Sequence, residues 1–212
     1  MTVWAGRGRS YSSNFFSSSR AKPLRSGGGS APGRAAARSR DRAEGRPILR
    51  MTAEPFDLPA EAEAAAALIE RLQEHLNRVG QLYPFRKGMG LAAPQIGVAR
   101  AAAIVRPPDG DDTIRLFNPR IIDVSDEVDA RYEGCLSFFD VRGMVVRPLS
   151  IDVEVSELDG GRRVWVFERG IARLVLHEID HLVGRLYADD LVPDTELLPL
   201  EEYRETRARW QY

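Results

Sequence analysis

The spacing of hydrophobic residues predicts two helices that flank a segment of short apolar alternations. The first helix begins at Pro59 and ends at Gly80, and its apolar stripe contains Leu68, Ile69, Leu72, Leu76 and Val79. The second helix follows Gly170 and ends before Gly184, a residue type that commonly terminates helices. Its apolar positions are Ile171, Leu174, Val175, Ile179 and Leu182. Both stripes indicate helices that pack against a core.

Six short apolar runs between the two helices predict β-strands. They lie at residues 101–105, 113–117, 120–124, 144–146, 151–155 and 163–167. Asp159-Gly160-Gly161 separates the last two runs and predicts a hairpin turn. Short strands with a helix at each end indicate an α+β domain, which we expect over residues 44–192. The tail, residues 193–212, is weakly patterned and is compatible with a short amphipathic helix.

The first 43 residues differ from the rest in charge and patterning. They are rich in Arg, Ser and Gly and show no hydrophobic periodicity, so we expect residues 1–43 to form a disordered extension. Of the 30 basic and 31 acidic residues of the chain, nine and one lie in this extension, which leaves the remainder with a net charge of −9. The near-neutral total therefore conceals an acidic domain.

Two interpretations of the extension remain open. Arg- and Ser-rich, acid-poor N-termini are typical of organellar transit peptides, and a start codon assigned too far upstream in GC-rich DNA produces a similar composition. The chain has two lysines against 28 arginines, which favours a GC-rich genome. We expect a bacterial cytoplasmic protein, with an organellar location as the alternative. No apolar run approaches the roughly 18 residues of a membrane span, and the single cysteine suits a reducing compartment.

The second predicted helix contains a metal-binding pattern. In His177-Glu178-Ile179-Asp180-His181 the two imidazoles lie four residues apart, on one helix face, and Glu178 is a candidate general base. The third ligand is not within this motif. Tyr187 occupies the position where a metzincin has its third histidine, and the downstream carboxylates that another zincin would use are those of Glu196, Glu201, Glu202 and Glu205.

A better third ligand lies upstream of the helix. Cys135, the only cysteine, lies within Glu133-Gly134-Cys135-Leu136-Ser137. A third segment, Gly88-Met89-Gly90-Leu91-Ala92-Ala93-Pro94-Gln95, combines glycines that permit close backbone approach with one amide donor. In this order the three segments resemble the motifs of the peptide deformylase family, G-x-G-L-A-A-x-Q, E-G-C-L-S and H-E-x-D-H. The resemblance covers residues from about 45 to 192.

The resemblance implies both a fold and a reaction. The fold would consist of small mixed or antiparallel sheets packed around the metal-binding helix. Cys135, His177 and His181 would hold one ion per chain, natively Fe²⁺, for which Zn²⁺, Ni²⁺ or Co²⁺ can substitute. Glu178 would act as the base, and the Gln95 amide and the Leu136 N–H would stabilise the oxyanion. The enzyme would remove the N-formyl group from the initiator methionine of nascent polypeptides and release formate.

The peptide groove is the least conventional part of the resemblance. We expect Gly90, Met89, Phe138 and Arg142 to bind substrate. The run Phe138-Phe139-Asp140 replaces an aliphatic residue, proline and a small or polar residue that are common in the family, so the groove is expected to be reshaped. Glu133 and Asp180 are expected beside the ligands, with Glu133 either paired with Arg142 or Arg147 or exposed to solvent.

Two alternative functions and one partner stay open at this point. A broad zinc metallopeptidase would need a third ligand other than Cys135, and a non-catalytic relative would only bind N-terminal peptides. Intact Glu178 and Gln95 favour catalysis. Transient ribosome contact is a family property, but an acidic body lacks the basic stripe of a strong nucleic-acid binder, so we expect no DNA partner and no membrane.

Overall fold

Helices pack against three small antiparallel sheets in the computed structural model, which describes residues 46–82, 88–108 and 112–205. The α-helices are α1 (Ala62–Leu82), α2 (Arg169–Leu182) and α3 (Leu200–Glu205). Short 3₁₀ helices span Pro47–Arg50, Ala93–Ile96 and Tyr187–Asp189. This arrangement confirms the predicted α+β class. The predicted extension, residues 1–43, lies outside the described residues. Within them, no helix is long and apolar enough to cross a bilayer.

Each sheet has three strands, and every pair of neighbouring strands is antiparallel. The first sheet contains β1 (Met89–Ala92), β2 (Ala102–Arg106) and β3 (Ile114–Phe117) in that order. The second contains β4 (Arg120–Val124), β7 (Ser150–Ser156) and β8 (Arg162–Glu168). The third contains β5 (Val128–Cys135), β6 (Phe138–Pro148) and β9 (Leu198–Pro199). The sheets are thus antiparallel rather than mixed.

The helix α2 lies at the centre of the domain. Its buried apolar residues, Ala172, Val175, Leu176, Ile179 and Leu182, pack with the inward residues of β7 in one core cluster. The strand β7 alternates buried and partly exposed positions along its whole length, as expected for a strand with one face on the core. A second cluster joins α1 to β1 and β2, and a third surrounds Cys135. The metal-binding motif is therefore held on a buried, closely packed helix.

Helix boundaries differ from the predictions where local contacts intervene. A turn precedes α1, in which the Asp57 N–H donates to Glu61 Oε2 at 2.7 Å, so the helix begins at Ala62 rather than Pro59. Gly80 does not end α1. The glycine instead makes room for Met89, whose Cε would lie 3.3 Å from a β-carbon at this position. Gly184 has a left-handed φ of 75° just beyond α2, which confirms its predicted terminating role.

The predicted tail contributes to the domain. Leu197 is only 4% exposed and belongs to the cluster around Cys135. The strand β9 then pairs with β6, and α3 follows directly. Sequence patterning predicted neither β9 nor the strands β1 and β5. The strand β9 has only two residues, and the glycine of β1 and the charged residues of β5 interrupt an apolar alternation.

Candidate metal and catalytic site

The structure brings the three predicted metal ligands together. Each of these residues offers one ligand atom, and the three atoms lie within 4.8 Å of one another. All three residues, Cys135, His177 and His181, are buried. Cys135 Sγ lies 3.1 Å from His181 Nε2. The spacing of four residues on α2 turns both imidazoles towards the end of β5, where the cysteine lies. One thiolate and two imidazoles form a donor set that suits zinc or iron, so these residues fit a divalent metal ion.

Cys135 is held in the form that binds metals. Its Sγ accepts hydrogen bonds from the Ser137 N–H at 3.3 Å and from Gln95 Nε2 at 3.4 Å. Burial alone would raise the pKa of the thiol, but the electrostatic interactions of Cys135 with His181 and His177 hold that pKa well below its usual value. The thiolate, rather than the thiol, is the metal ligand and is therefore favoured here.

His177 is oriented on two sides. Its Nδ1 lies 3.0 Å from Glu133 Oε2, and its ring stacks on Tyr187 with centroids 5.8 Å apart. A carboxylate that accepts the Nδ1 proton of a histidine leaves Nε2 with a free lone pair. The contact with Glu133 therefore presents Nε2 of His177 as a ligand atom.

Glu133 belongs to a network of five charged residues, Asp129, Glu133, Arg147, Arg173 and Asp180, of which all but Asp129, whose side chain is 23% exposed, are buried. Arg147 reaches Glu133 Oε1 at 2.9 Å and Asp180 Oδ2 at 2.5 Å. Arg173 reaches Glu133 at 2.7 Å and Asp129 at 2.5 Å. Burial opposes ionisation of Glu133, but Arg147 and His177 hold its pKa below the usual value, so it stays charged.

The sequence predicts Arg142 or Arg147 as the partner of Glu133. Glu133 pairs with Arg147, one of the two predicted partners, whereas the Arg142 side chain donates to the carbonyl oxygens of Phe139 and Val141. Sequence reasoning missed Arg173. Its position, four residues before His177 on the same helix face, was the available signal. A charged residue there faces the core and needs a buried counter-charge.

Glu178 is 3% exposed and lies beside the histidines. Its carboxylate packs against Gly90, where any β-carbon would overlap it. Within the described part of the chain, Glu178 Oε2 is a buried oxygen with no hydrogen-bond partner. Burial raises the pKa of Glu178 to about 7, despite the opposing charges of His177 and His181. A carboxylate whose pKa lies near neutrality can both accept and return a proton.

Gln95 and Leu136 flank the ligand cysteine. The Gln95 oxygen accepts the Ala92 N–H at 2.8 Å, which turns its Nε2 towards Cys135 Sγ and Ser137 Oγ. Leu136 lies in the turn between β5 and β6 and lines the same cavity as Gln95. Both predicted oxyanion donors are therefore beside the ligand set.

A cavity of about 380 Å³ opens beside these residues. Gly90, Met89 and Arg142, three of the predicted substrate-binding residues, line it. The fourth predicted substrate-binding residue, Phe138, does not line the cavity. This residue is 2% exposed and packs edge-on against Tyr187, with ring centroids 5.6 Å apart. Phe139 lines the cavity instead, because successive side chains of a strand point to opposite faces. The lining residues that sequence reasoning missed include Tyr132, Leu174, Leu200 and Tyr203.

Comparisons with known proteins identify the relatives of this chain. The family model described as polypeptide deformylase matches residues 42–196. Peptide deformylase 2 of Bacillus cereus is 39% identical over 161 residues, which cover 70% of this chain and 86% of that protein. The crystal structure of peptide deformylase from Thermotoga maritima has a TM-score of 0.61 and 31% identity, and the match covers 70% of this chain and 94% of that one.

A third similar structure was determined with a bound peptide. The Met-Ala-Ser-bound crystal structure of class I type b peptide deformylase from Acinetobacter baumannii has a TM-score of 0.60 and 32% identity. The match covers 69% of this chain and 94% of that one. Residues 42–196, which the family model matches, include Cys135 and the helix α2.

Proposed function

The chain belongs to the peptide deformylase family, and from this premise we propose that Cys135, His177 and His181 hold its metal ion, with Glu178 as the general base. The enzyme removes the N-formyl group from nascent polypeptides and releases formate. The observation that carries the residue assignment is the convergence of the three ligand atoms within 4.8 Å, beside a cavity that Cys135, His177 and the buried Glu178 line.

Glu178 is proposed to move the protons of the reaction. A divalent ion held by Cys135, His177 and His181 would supply a Lewis acid that could polarise the formyl carbonyl and make a water molecule more acidic. Glu178 takes the proton of the attacking water and delivers a proton to the departing amine nitrogen. Its pKa of about 7 and its oxygen without a hydrogen-bond partner support both transfers.

Gln95 and Leu136 are proposed to stabilise the negative charge that develops on the formyl oxygen. The Gln95 amide is already oriented, because its oxygen is fixed by the Ala92 N–H at 2.8 Å. Donors that need no reorientation during the reaction are the most effective, and one such donor contributes on the order of 3 kcal/mol in other oxyanion sites. The backbone N–H of Leu136 would be the second donor.

The cavity also suits the methionine side chain of a formylated peptide. Its volume of about 380 Å³ is within the range typical of small-ligand pockets. Met89, Leu136, Phe139 and Leu174 supply apolar lining. Arg142 adds a cation to the lining, and its guanidinium group donates to the carbonyl oxygens of Phe139 and Val141. We propose that Arg142 contacts polar groups of the peptide backbone beyond the first residue.

The assignment is tested by measuring formate release from formyl-Met-Ala-Ser by protein purified without oxygen. We expect about one metal ion per chain and turnover that stops when the ion is removed by a chelator and returns on reloading. A Cys135→Ser variant should lose most of the bound metal, because a hydroxyl is a poor ligand at neutral pH. Full metal content in that variant would contradict the ligand assignment and favour a zinc peptidase-like site.

We propose Fe²⁺ as the native ion. The Cys135 thiolate is a softer ligand than a third imidazole, and an iron–thiolate site exposes both an oxidisable metal and an oxidisable sulfur to oxygen. Activity of the iron-loaded protein should therefore decay in air faster than activity of a nickel-loaded sample. Zinc is the alternative, because the same ligands suit its tetrahedral geometry. Zinc in anaerobically purified protein, with activity stable for hours in air, would refute iron.

A further inference from the structure

The C-terminal segment supplies part of the cavity wall. Leu200 and Tyr203 line the same cavity as Cys135 and Glu178. They lie three residues apart in α3, a spacing that places both side chains on one helix face. The polypeptide deformylase family model matches the chain only as far as residue 196. This part of the wall therefore lies beyond the segment that the family model describes.

The segment is anchored to the strand that follows the ligand cysteine. The pairs between β9 and β6 are Pro199 with Val141 and Leu198 with Arg142. Just before β9, Leu197 is buried in the cluster that contains Cys135. Gly143 permits this packing, because a β-carbon there would lie 3.0 Å from Leu197 and would overlap Leu191. A six-residue helix is marginal by itself, so these contacts hold α3 at the cavity.

Tyr203 also packs against a residue of the opposite wall. Its ring meets that of Tyr132 edge-on, with centroids 5.3 Å apart and an interplanar angle of 61°. Tyr132 lies in β5, three residues before Cys135, and lines the cavity as well. Edge-to-face pairs restrict the orientation of both rings. With Leu200 and Phe139, the two tyrosines form an ordered and largely apolar surface beside the reacting groups.

We propose that Leu200 and Tyr203 determine which peptide side chains the cavity accepts. This inference rests on the proposed function and assigns to the C-terminal segment the discrimination between large and small apolar side chains among the first two residues of an N-formyl peptide. Contact with this wall would remove the apolar surface of a large side chain from water, and the smaller surface of alanine would gain less from the same contact. Both residues act on specificity, since neither carries a group required for the proton transfers.

The test compares two series of formyl tripeptides. One varies the first side chain among alanine, norleucine and methionine, and the other varies the second among alanine, leucine and phenylalanine. Leu200→Ala and Tyr203→Ala should each reduce the preference for large over small side chains by about tenfold in one series, within the range for one pocket contact. The change should arise in KM, with kcat little altered. Tyr203→Phe keeps the ring and should keep the preference.

Two controls separate this proposal from its alternatives. Glu201→Ala, at an exposed position of the same helix, should leave both series unchanged. Titration calorimetry with the product peptides Met-Ala-Ser and Met-Leu-Ser measures selectivity without turnover. If the parent protein releases no formate, the proposed function fails. The binding of the product peptides then still tests whether Leu200 and Tyr203 select between side chains. An equal fall of kcat/KM on all substrates, or no change on any, would overturn the role of Leu200 and Tyr203.

Discussion

Replacing Glu178 by glutamine should lower kcat by about 10⁴-fold, the upper end of the range for general acid–base catalysis. The large effect is expected because one group both takes the proton of the attacking water and returns a proton to the amine. Glutamine has the same shape as glutamate, so it fits against Gly90, where the carboxylate now packs. The measurement is formate release from formyl-Met-Ala-Ser, with metal content determined on the same sample.

The metal content decides the interpretation of that variant. All three ligands remain in Glu178→Gln, so we expect the same metal stoichiometry as in the parent protein. Glu168→Gln, at an exposed position immediately before α2, is the matched control and should keep full activity. A Glu178→Gln protein that loses its metal would assign Glu178 a structural role instead.

Replacing Glu133 by glutamine should cost about 3–5 kcal/mol of unfolding free energy, the range for removing one partner of a buried ion pair. Glu133, Arg147 and Arg173 are each at most 4% exposed, and the carboxylate compensates both guanidinium groups. Without it the two cations keep only Asp180 and Asp129 as acidic partners. Urea unfolding measures the change in unfolding free energy. Excess metal keeps the site saturated, so weaker metal binding through His177 contributes little to that change.

A surface glutamate provides the comparison. Glu154 pairs with Arg120 and Arg162, whose side chains are 67% and 69% exposed. Solvent screens such pairs, so Glu154→Gln should change the unfolding free energy by less than about 1 kcal/mol. Equal losses in the Glu133 and Glu154 variants would mean that the buried network contributes no more than surface pairs do.

Local sequence signals were sufficient for the catalytic helix. The helical spacing of its apolar residues, the terminating Gly184 and the separation of His177 from His181 by four residues all depend on one element. The structure places this helix at Arg169–Leu182 with Gly184 in a left-handed conformation. The association of Cys135 with the helix came from the resemblance to a family, because no local signal relates residues 42 positions apart.

The strands were less completely predicted. Alternation identified β7, whose apolar residues face the core, and an apolar run identified β8, in which Phe167 is buried while Val164 and Val166 are exposed. It did not identify β5, whose eight residues include three charged side chains. Two of these, Asp129 and Glu133, are paired with Arg173 of α2, so their burial depends on a contact about 40 residues distant. Alternation patterns cannot reveal a strand whose inward positions are charged.

The sequence by itself determined the helices, the α+β class and the residue types that can hold a metal ion, because periodicity and short motifs act over a few residues. The tertiary structure decided which side chains form the cavity. It placed Phe139 rather than Phe138 in the lining through the orientation of β6, and it brought Tyr203 there through the pairing of β9 with β6. Strand pairing joins distant segments, and the free energy that selects one register comes from burial across all of them.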